Sequence, residues 1–454
     1  MAIQTINPAT NQIEKTFEEF SLESVFNIIE DVDNTFQNWK RTTFSERNLL
    51  MKNAAEVLKT NKYDYAKIIV TEMGKPITQA ISEIEKCAWV CEYYAENAEE
   101  LLQKEFISTD ASESYIQFDP LGIVFAIMPW NFPFWQVFRF AVPAIMAGNA
   151  CILKHASNVP MCALTIEEIF EKANFPENLF RTILIGSYEV EEVINHPKVK
   201  AVTLTGSEFA GRQVAKYCGK LLKKSVMELG GSDPFIVLED ADIELAAKTG
   251  VTARLINNGQ SCIAAKRFIV VEKIYDDFEK RFVELMSKVK IGNPMDEFTQ
   301  LGPIAREDLL NELEFQVRHS VECGAVILCG GKRVNSEGLY FEPTVLSNVK
   351  KGMPAYDEEI FGPVASLIKV KDEEEAIEVA NDTKFGLGAS LWTQDIDKAK
   401  YYAEKIEAGS VFINGMVKSD PRLPFGGIKN SGYGRELSHY GIKEFVNIKT
   451  VWIK

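Results

Sequence analysis

The segment NNGQSCIAAKR, residues 257–267, places Cys262 directly after the residues GQS. A turn at this position could expose the sulfur, and a cysteine thiolate is an effective nucleophile. Free cysteine is nevertheless among the most buried residue types. Because the chain contains eight cysteines, the local sequence leaves two interpretations of Cys262 open, a nucleophile and a core thiol.

Three other polar side chains have types that suit carbonyl chemistry. Asn131 lies in the aromatic run MPWNFPFWQVFRF, where its carboxamide either stabilises a turn or donates to a carbonyl oxygen that gains charge. Arg139, in the same run, either stacks on a ring or binds a carboxylate through its planar fork. Glu228, in SVMELGG, is expected at a strand end beside apolar residues, which would raise its pKa towards that of a general base. A surface glutamate that caps a turn is the alternative for Glu228.

Two segments have the character of nucleotide-binding turns. In AVTLTGSEFAG a strand runs into Gly206, Ser207 and Gly211 at the start of an expected helix, whose free backbone N–H groups would suit a phosphate. The segment lacks the GxGxxG fingerprint, so a plain strand-to-helix turn is the alternative. Lys154, in CILKHAS, is expected at the end of a strand, where it either hydrogen-bonds a ribose hydroxyl or is solvated.

The composition narrows the class of protein. The 454 residues carry a formal net charge of −15, which argues against a nucleic-acid surface and a polybasic membrane patch. An anionic substrate would therefore need a local cation. The N-terminal residues do not have the pattern of a signal peptide, and no apolar run approaches the ~18 residues of a membrane span. The four histidines show no metal-binding spacing and the cysteines form no CxxC pair, so we expect no metal site and a reduced, cytoplasmic protein.

Hydrophobic periodicity predicts helices first and parallel sheets afterwards. Apolar residues recur at steps of three and four from Ile81 to Leu102, a stripe that includes Cys91 and favours a core role for it and for Cys87. Further on, short apolar runs alternate with helical stretches in two series, GIVFAIM to SVMELG and RFIVVEKI to SVFING. Such runs are typical of parallel sheets covered on both faces. The sequence therefore predicts an α/β protein with two units that meet near residues 227–234.

Seven motifs occur along the chain in the order WNFP, LK, TGS, ELGG, GQSC, EEIFGPV and PFGGIKNSGYGRE. The series resembles the aldehyde dehydrogenase superfamily from about Asn7 to the last strand. The resemblance implies an aldehyde dehydrogenase-like α/β fold, with two Rossmann-like domains and a small β bridging (oligomerisation) element. The implied boundaries are residues 1–104 and 121–230 for the cofactor-binding domain, 231–430 for the catalytic domain, and 105–120 with 445–454 for the oligomerisation element.

The terminal run EFVNIKTVWIK predicts a strand whose partner lies either in its own chain or in another subunit. In relatives this strand pairs across a dimer. The resemblance therefore favours the pairing between subunits and implies a homodimer or homotetramer.

The resemblance also implies the catalytic residues. Cys262 matches the family's nucleophile, which attacks the aldehyde carbon and then carries a thioester. Asn131 would hold the developing oxyanion together with the backbone N–H of Cys262. Glu228 would activate the water that hydrolyses the thioester.

The implied cofactor is NADP or NAD. The positions that match the family's cofactor contacts are Trp130, Lys154, Ser157, Gly206, Ser207, Gly211, Glu359 and Phe361. NAD-selective members usually carry an acidic residue three positions after the lysine, where this chain has Ser157. Because a neutral hydroxyl does not repel a 2′-phosphate, we expect NADP to be preferred and NAD to be possible.

The implied substrate is a small anionic aldehyde. Arg139, eight residues after Asn131, and Ser419, in SDPRLPFGG, match carboxylate-binding positions of bacterial succinate-semialdehyde dehydrogenases. A second arginine of those enzymes, six residues before the cysteine, is Ile256 here, and Arg254 would point elsewhere on a helix. We therefore expect oxidation of succinate semialdehyde to succinate, with another semialdehyde or a broad aliphatic range as alternatives.

Functions of other classes make different demands on these residues. A CoA-acylating relative would typically lack the ELGG glutamate. A thiol esterase without redox chemistry would have no use for the ribose and phosphate positions. A non-catalytic binding protein would not need the cysteine, the asparagine and the glutamate together, so the dehydrogenase explains the most residues.

Overall fold

The computed structural model describes residues 3–334 and 336–454 and arranges them around two large, mainly parallel sheets. Met1, Ala2 and Asn335, which fall within the predicted domain ranges, lie outside the described residues. Helices cover both large sheets, so the predicted α/β class is confirmed. Among the described helices, none combines the length and apolarity that crossing a bilayer requires.

The first sheet has six strands, and only its shortest edge strand is antiparallel to its neighbour. Its spatial order is Gly432–Tyr433, Lys224–Glu228, Val199–Thr205, Ile123–Met128, Ala150–His155 and Phe180–Thr182. Every residue of Ala150–His155 is buried, as expected of a near-continuous apolar strand with both faces covered. The helices of this part of the chain are Leu22–Trp39, Phe44–Thr60, Lys62–Met73, Ile77–Leu101, Trp135–Met146, Pro160–Lys172, Val190–Asn195, Glu208–Lys220 and, near the C-terminus, Ser438–Ile442.

The second sheet has seven strands, of which one edge strand is antiparallel. Its spatial order is Val326–Cys329, Thr344–Ser347, Val364–Val370, Arg267–Val271, Pro234–Val237, Gly388–Trp392 and Ser410–Ile413. Its helices are Ile243–Leu255, Glu272–Met286, Glu307–Glu322, Pro354–Asp357, Glu373–Asn381 and Ile396–Ala403. The first sheet's strand Lys224–Glu228 ends just before this sheet's strand Pro234–Val237 begins, so the Gly-rich stretch between them joins the two sheets.

Separate apolar cores cover the two faces of the second sheet. Along Pro234–Val237, Ile236 packs into one core, whereas Phe235 and Val237 pack into the other. This alternation follows from the period of two along a strand. In the first part of the chain, the stripe on helix Ile77–Leu101 is buried, and the Cys91 thiol lies in the core as predicted.

A small antiparallel sheet joins the C-terminal strand to the segment that follows helix Ile77–Leu101. The terminal strand Val446–Ile453 pairs along its whole length with Glu113–Pro120, which also pairs with Glu105–Phe106. Its partner is thus a strand of its own chain. On its other edge, the terminal strand has no strand partner within the described residues. The remaining short elements are the paired strands Ile3–Asn7 and Gln12–Phe17, the paired strands Phe385–Gly386 and Ile428–Lys429, and the 3₁₀ helices Ser187–Glu189 and Ile256–Gly259.

The aromatic core under the second sheet generates a stability prediction. Phe268 is fully buried, with its ring centroid 5.0 Å from Phe235 and 4.6 Å from Phe282. Phe268→Ala removes these contacts and leaves a cavity, which should lower the free energy of unfolding by about 3–5 kcal/mol. Denaturant-induced unfolding measures this change. Phe298→Ala is the matched control because Phe298 is 78% exposed, and it should stay within about 0.5 kcal/mol. Equal losses from the two variants would contradict the core assignment.

Candidate active site

Cys262 lines a cavity of about 210 Å³ that opens to solvent. The walls come from helix Ile77–Leu101, helix Trp135–Met146, the loop around Ser419 and the loop that carries the cysteine. We call residues 256–266 the cysteine loop. Five other cysteines of the chain are fully buried in the packed interior, whereas Cys262 is only partly buried. The structure therefore favours the accessible thiol over the core thiol for Cys262.

Near its start, the cysteine loop has three consecutive residues in the left-handed backbone region. Asn257, Asn258 and Gly259 have φ values of 55°, 58° and 75°. Asparagine tolerates this region better than other residues with a Cβ atom, and glycine adopts it without strain. A Cβ atom on Gly259 would lie 2.3 Å from the Gly362 carbonyl group. The GQSC motif is thus in contact with the EEIFGPV motif, which explains why this loop needs the residues NNG.

Buried side chains hold the backbone of the cysteine loop. Asn257 Nδ2 donates to Asn131 O at 2.7 Å and to Gln260 O at 2.8 Å. Lys266 Nζ donates to the carbonyl oxygens of Ser261 and Cys262, at 2.9 Å and 2.8 Å. Each bond satisfies a polar group that would otherwise be costly to bury. The position of the sulfur is therefore fixed through the backbone on both sides of Cys262.

The carboxamide of Asn131 is buried and held in one orientation. Gln136 Nε2 donates to Asn131 Oδ1 at 3.0 Å, so the Asn131 NH₂ group faces the cysteine loop. One of its N–H groups donates to Gln260 O at 3.1 Å, which leaves the second for a ligand. His155 contacts the turn that follows Asn131: its Nε2 lies 2.9 Å from Pro133 O, while its Nδ1 accepts from Ala156 N. This arrangement suits an oxyanion donor.

Glu228 lies at the end of its strand, as the sequence predicts, in a buried cluster of charged groups. Its Oε1 atom is buried without a hydrogen-bond partner in the described chain. Burial and the nearby Glu436 carboxylate raise the pKa of Glu228 well above its usual range, against the opposing charge of Arg139. An unpartnered carboxyl group with a raised pKa is suited to accept a proton from water.

The Cys262 thiol is neutral in this arrangement. Burial raises the pKa of Cys262 to about 12, while the positive charges of Arg139 and Lys266 act in the opposite direction. A thiolate forms here only at a cost in free energy. Activation of the sulfur must therefore come from a change that accompanies ligand binding or from high pH.

The two predicted aromatic cofactor positions are in contact. The rings of Trp130 and Phe361 meet edge to face, with centroids 5.8 Å apart. Lys154 is the penultimate residue of strand Ala150–His155, and Ser157 lies exposed in the turn after it. The Lys154 ammonium group is largely buried, and burial lowers its pKa. No hydrogen bond or ion pair joins it to another described residue, although the charge of Glu19 acts on it. An orphaned donor of this kind fits a ribose hydroxyl.

The predicted phosphate turn leads from a strand into a helix, as expected. The Ser207 hydroxyl group and the Gly211 N–H are already hydrogen-bonded within it. Ser207 caps helix Glu208–Lys220, and its Oγ accepts from Ala210 N at 3.3 Å. The Gly211 N–H donates to Ser207 O. A Cβ atom at Gly211 would lie 2.5 Å from a Leu229 methyl group, so this glycine permits close packing. The first N–H groups of the helix are the groups of this turn that could receive an anion.

Glu359 lies beside the cysteine loop. Its Oε1 accepts from Gly231 N at 3.0 Å and lies 3.5 Å from Lys266 Nζ. Burial raises the pKa of Glu359, and the Lys266 ammonium opposes this effect. The structure thus joins the EEIFGPV, ELGG and GQSC motifs through one carboxylate.

Both predicted carboxylate-binding residues line the cavity, but each already has a partner. Arg139 Nε forms a buried ion pair with Glu436, and its Nη2 donates to Thr205 Oγ1 at 3.3 Å. Ser419 Oγ accepts from Lys86 Nζ at 2.7 Å. Ile256, which occupies the position of the second arginine of the succinate-semialdehyde dehydrogenases, also lines the cavity.

Arg254, the other arginine near the cysteine, points elsewhere, as expected. Its Nη2 donates to Gly259 O, and the side chain is fully buried. Arg254 therefore stabilises the cysteine loop and does not replace the arginine that is missing at Ile256.

Sequence reasoning did not select four residues that shape the site, Lys86, Gln136, Lys266 and Glu436. Gln136 and Lys266 lie within a few residues of predicted site residues, so their proximity was a usable signal. Glu436 falls in the last motif, PFGGIKNSGYGRE, whose individual residues carried no assignment. Lys86 lies off the apolar stripe of its helix, and such a lysine has no local feature that separates it from a solvated one.

Residues 3–334 and 336–454 contain no cluster of three or more His, Cys, Asp or Glu side chains arranged to hold a metal ion.

A doubly wound fold with a nucleotide-type turn and an accessible cysteine defines the class of cofactor-dependent thiol enzymes. The model of the aldehyde dehydrogenase family matches residues 1–451. The chain belongs to the aldehyde dehydrogenase family.

Several relatives share the whole length of the chain. It is 51% identical over 453 residues to a Synechocystis sp. protein named "probable succinate-semialdehyde dehydrogenase", specified for NADP(+), with all of both chains covered. It is 48% identical over 456 residues to succinate-semialdehyde dehydrogenase 1 of Mycobacterium tuberculosis, also specified for NADP(+) and also covered completely. Among solved structures, the Streptococcus pyogenes succinic semialdehyde dehydrogenase in complex with NADP+ superposes with a TM-score of 0.98 at 38% identity, with all of both chains covered.

The raised pKa of Cys262 predicts how fast this thiol reacts without ligands. The thiolate fraction rises about tenfold per pH unit below the pKa, so alkylation of Cys262 by iodoacetamide should rise about 100-fold between about pH 7 and about pH 9. Peptide mass spectrometry measures the labelling rate at each pH. The exposed Cys323 is the internal control and should be labelled faster than Cys262 at the lower pH. A rate at Cys262 that does not change with pH would show that the thiolate is already formed.

Proposed function

We propose that the protein oxidises succinate semialdehyde to succinate and uses NADP in preference to NAD. The observation that carries the proposal is that Cys262 and the cationic Arg139 line one cavity. A thiol can attack the aldehyde carbon while a cation holds the carboxylate at the other end of a short substrate. The names of the full-length relatives support this substrate and this coenzyme.

The coenzyme would be held by the positions that match the family's cofactor contacts. Lys154 would donate to a ribose hydroxyl, the turn at Gly206 and Ser207 with nearby Gly211 would receive the pyrophosphate, and Glu359 would accept from the second ribose. Trp130 and Phe361 would contact the dinucleotide through their rings. When bound, the coenzyme accepts the two electrons and the hydrogen that leave the aldehyde carbon.

The first covalent step belongs to Cys262 and Asn131. The thiol loses its proton to solvent water, the sulfur forms a bond to the aldehyde carbon, and the carbonyl electron pair moves onto oxygen. The free N–H of Asn131 Nδ2 and the backbone N–H of Cys262 would donate to this oxyanion. Because the Asn131 amide is already oriented by Gln136, it does not need to reorganise when the charge forms.

The second covalent step belongs to Glu228. A water molecule attacks the thioester carbon, and Glu228 accepts the proton that the water loses. The carbon–sulfur bond breaks, succinate leaves, and Cys262 is released as a thiolate.

The parts of the chain that contain the two large sheets would have different roles. We assign residues 1–104 and 121–230 to coenzyme binding, 231–430 to catalysis, and 105–120 with 445–454 to oligomerisation. The free edge of Val446–Ile453, with Ile448 and Trp452 exposed, supports pairing with a second copy as a homodimer or homotetramer. A reduced, cytoplasmic setting is part of the same proposal.

One observation favours a second candidate, a dehydrogenase of neutral aliphatic aldehydes. Ile256 gives the cavity an apolar side chain where a second arginine was expected, and Phe132, Trp135 and Phe425 add apolar surface. The two candidates share the covalent chemistry and differ only in what the far end of the cavity binds.

The catalytic proposal predicts a specific defect in Glu228→Gln. The amide cannot accept the proton of water, so the steady-state rate should fall by about 10²–10⁴-fold, while the first turnover still reduces NADP. Stopped-flow absorbance with succinate semialdehyde should show one enzyme equivalent of NADPH, followed by a slow phase. Cys262→Ala is the control and should show neither phase. Loss of the first turnover in Glu228→Gln would assign Glu228 to thiol activation instead.

The coenzyme proposal predicts the effect of an acidic side chain at position 157. Ser157→Glu would repel a 2′-phosphate and accept from a 2′-hydroxyl, so kcat/KM should fall about tenfold or more with NADP and rise with NAD. Initial rates with each coenzyme measure the ratio. Ser112→Glu, on an exposed bend outside the positions that match the cofactor contacts, is the matched control and should leave the ratio unchanged. An unchanged ratio in Ser157→Glu would place the 2′-phosphate elsewhere.

A further inference from the structure

Lys86 reaches the cavity from helix Ile77–Leu101 and is half-buried there. Its Nζ atom donates to Ser419 Oγ at 2.7 Å and lies 4.3 Å from the centre of the Trp135 ring. An ammonium group has three donors, and Ser419 uses one of them. Lys86 therefore keeps hydrogen-bonding capacity directed at a cavity that also contains Cys262.

No ion pair compensates the charge of Lys86, in contrast to two buried cations near it. Arg139 is paired with Glu436, and Lys75 is paired with Glu83, each pair being buried. No carboxylate in the described part of the chain lies within ion-pair distance of Lys86 Nζ. Burial of an unpaired charge is costly, so an anion in the cavity would relieve the cost.

We propose that Lys86 is the principal cation that binds the carboxylate of the aldehyde substrate, with Ser419 as its hydrogen-bonding neighbour. The inference rests on the proposed function and deepens it by naming a specificity-determining residue. Lys86 supplies, from another helix, the second positive charge that Ile256 does not supply. Arg139 contributes its remaining N–H groups, while its charge is partly balanced by Glu436.

The electrostatic surroundings of Lys86 agree with this role. Burial and, to a smaller extent, the positive charge of Arg139 lower the pKa of Lys86 to about 8. The acidic groups that face it, Asp420 and Glu83, and the Cys87 thiol act in the opposite direction. The folded-state pKa lies below the usual value for lysine, so the positive charge is present below about pH 8 and is lost above it. Binding of an anion should weaken over the same range.

The test compares succinate semialdehyde with butyraldehyde, which has a methyl group in place of the carboxylate. In Lys86→Met, the KM for succinate semialdehyde should rise about 10- to 100-fold, whereas kcat and KM for butyraldehyde should change by less than about threefold. Lys86→Arg should restore most of the selectivity because it restores the charge. Lys418→Met, which removes an exposed charge at the rim of the same cavity, should have a smaller effect on the succinate semialdehyde KM than Lys86→Met.

The outcomes separate this inference from the proposed function. If the wild-type enzyme does not prefer succinate semialdehyde to butyraldehyde, the proposed substrate is wrong. If the wild type has that preference and Lys86→Met keeps it, the substrate stands and the assignment of Lys86 is wrong. An equal loss with both aldehydes in Lys86→Met would show that Lys86 supports the fold of the site and does not select the substrate.

A second measurement does not depend on the folding of a variant. In the wild type, the ratio of the two KM values, succinate semialdehyde over butyraldehyde, should rise as the pH passes about 8, because only the anionic substrate needs the Lys86 charge. The ratio cancels the pH dependence of Cys262 and Glu228, which act on both substrates. In Lys86→Arg the rise should disappear, since arginine stays charged in this range. A ratio that stays constant with pH in the wild type would overturn the inference.

Discussion

The structure depends on one constraint: the backbone of the cysteine loop is buried, and each of its polar groups needs a partner there. Asn257, Arg254 and Lys266 supply partners from within the loop and its flanks. Asn258 extends the network by donating to Gly74 O at 2.9 Å and to Pro303 O at 3.0 Å. The loop is therefore tied to both parts of the chain, and the sulfur takes its place from that network.

The same buried setting determines the charge of the reacting groups. Burial disfavours the thiolate of Cys262 and the carboxylate of Glu228, so the pKa of each group is raised. The cations around them are balanced to different degrees, since Arg139 has a carboxylate partner and Lys86 does not. A substrate that brings its own negative charge thus enters a cavity whose positive charge is only partly satisfied.

The motifs that are far apart in the sequence form one connected site. The carboxylate of Glu359 bonds to the backbone of Gly231 and lies near Lys266, and Gly259 packs against Gly362. These contacts give a physical reason for the presence of all these motifs in one chain, because each motif supplies one side of an interface that the others complete. A substitution in one motif would therefore disturb residues that lie more than a hundred positions away.

The sequence by itself determined the α/β class, most strands of the two large sheets and the motif residues that line the site, because these follow from local periodicity and from residue types. It did not select the strands Pro234–Val237 and Thr344–Ser347, each of which is only four residues long. Only the tertiary structure decided which cations face the cavity with or without a counter-ion. Glu436 forms an ion pair with Arg139, and Ser419 accepts a hydrogen bond from Lys86. In each pair, some three hundred residues of sequence separate the partners. Such pairings depend on how distant elements pack, and no local pattern along the chain encodes them.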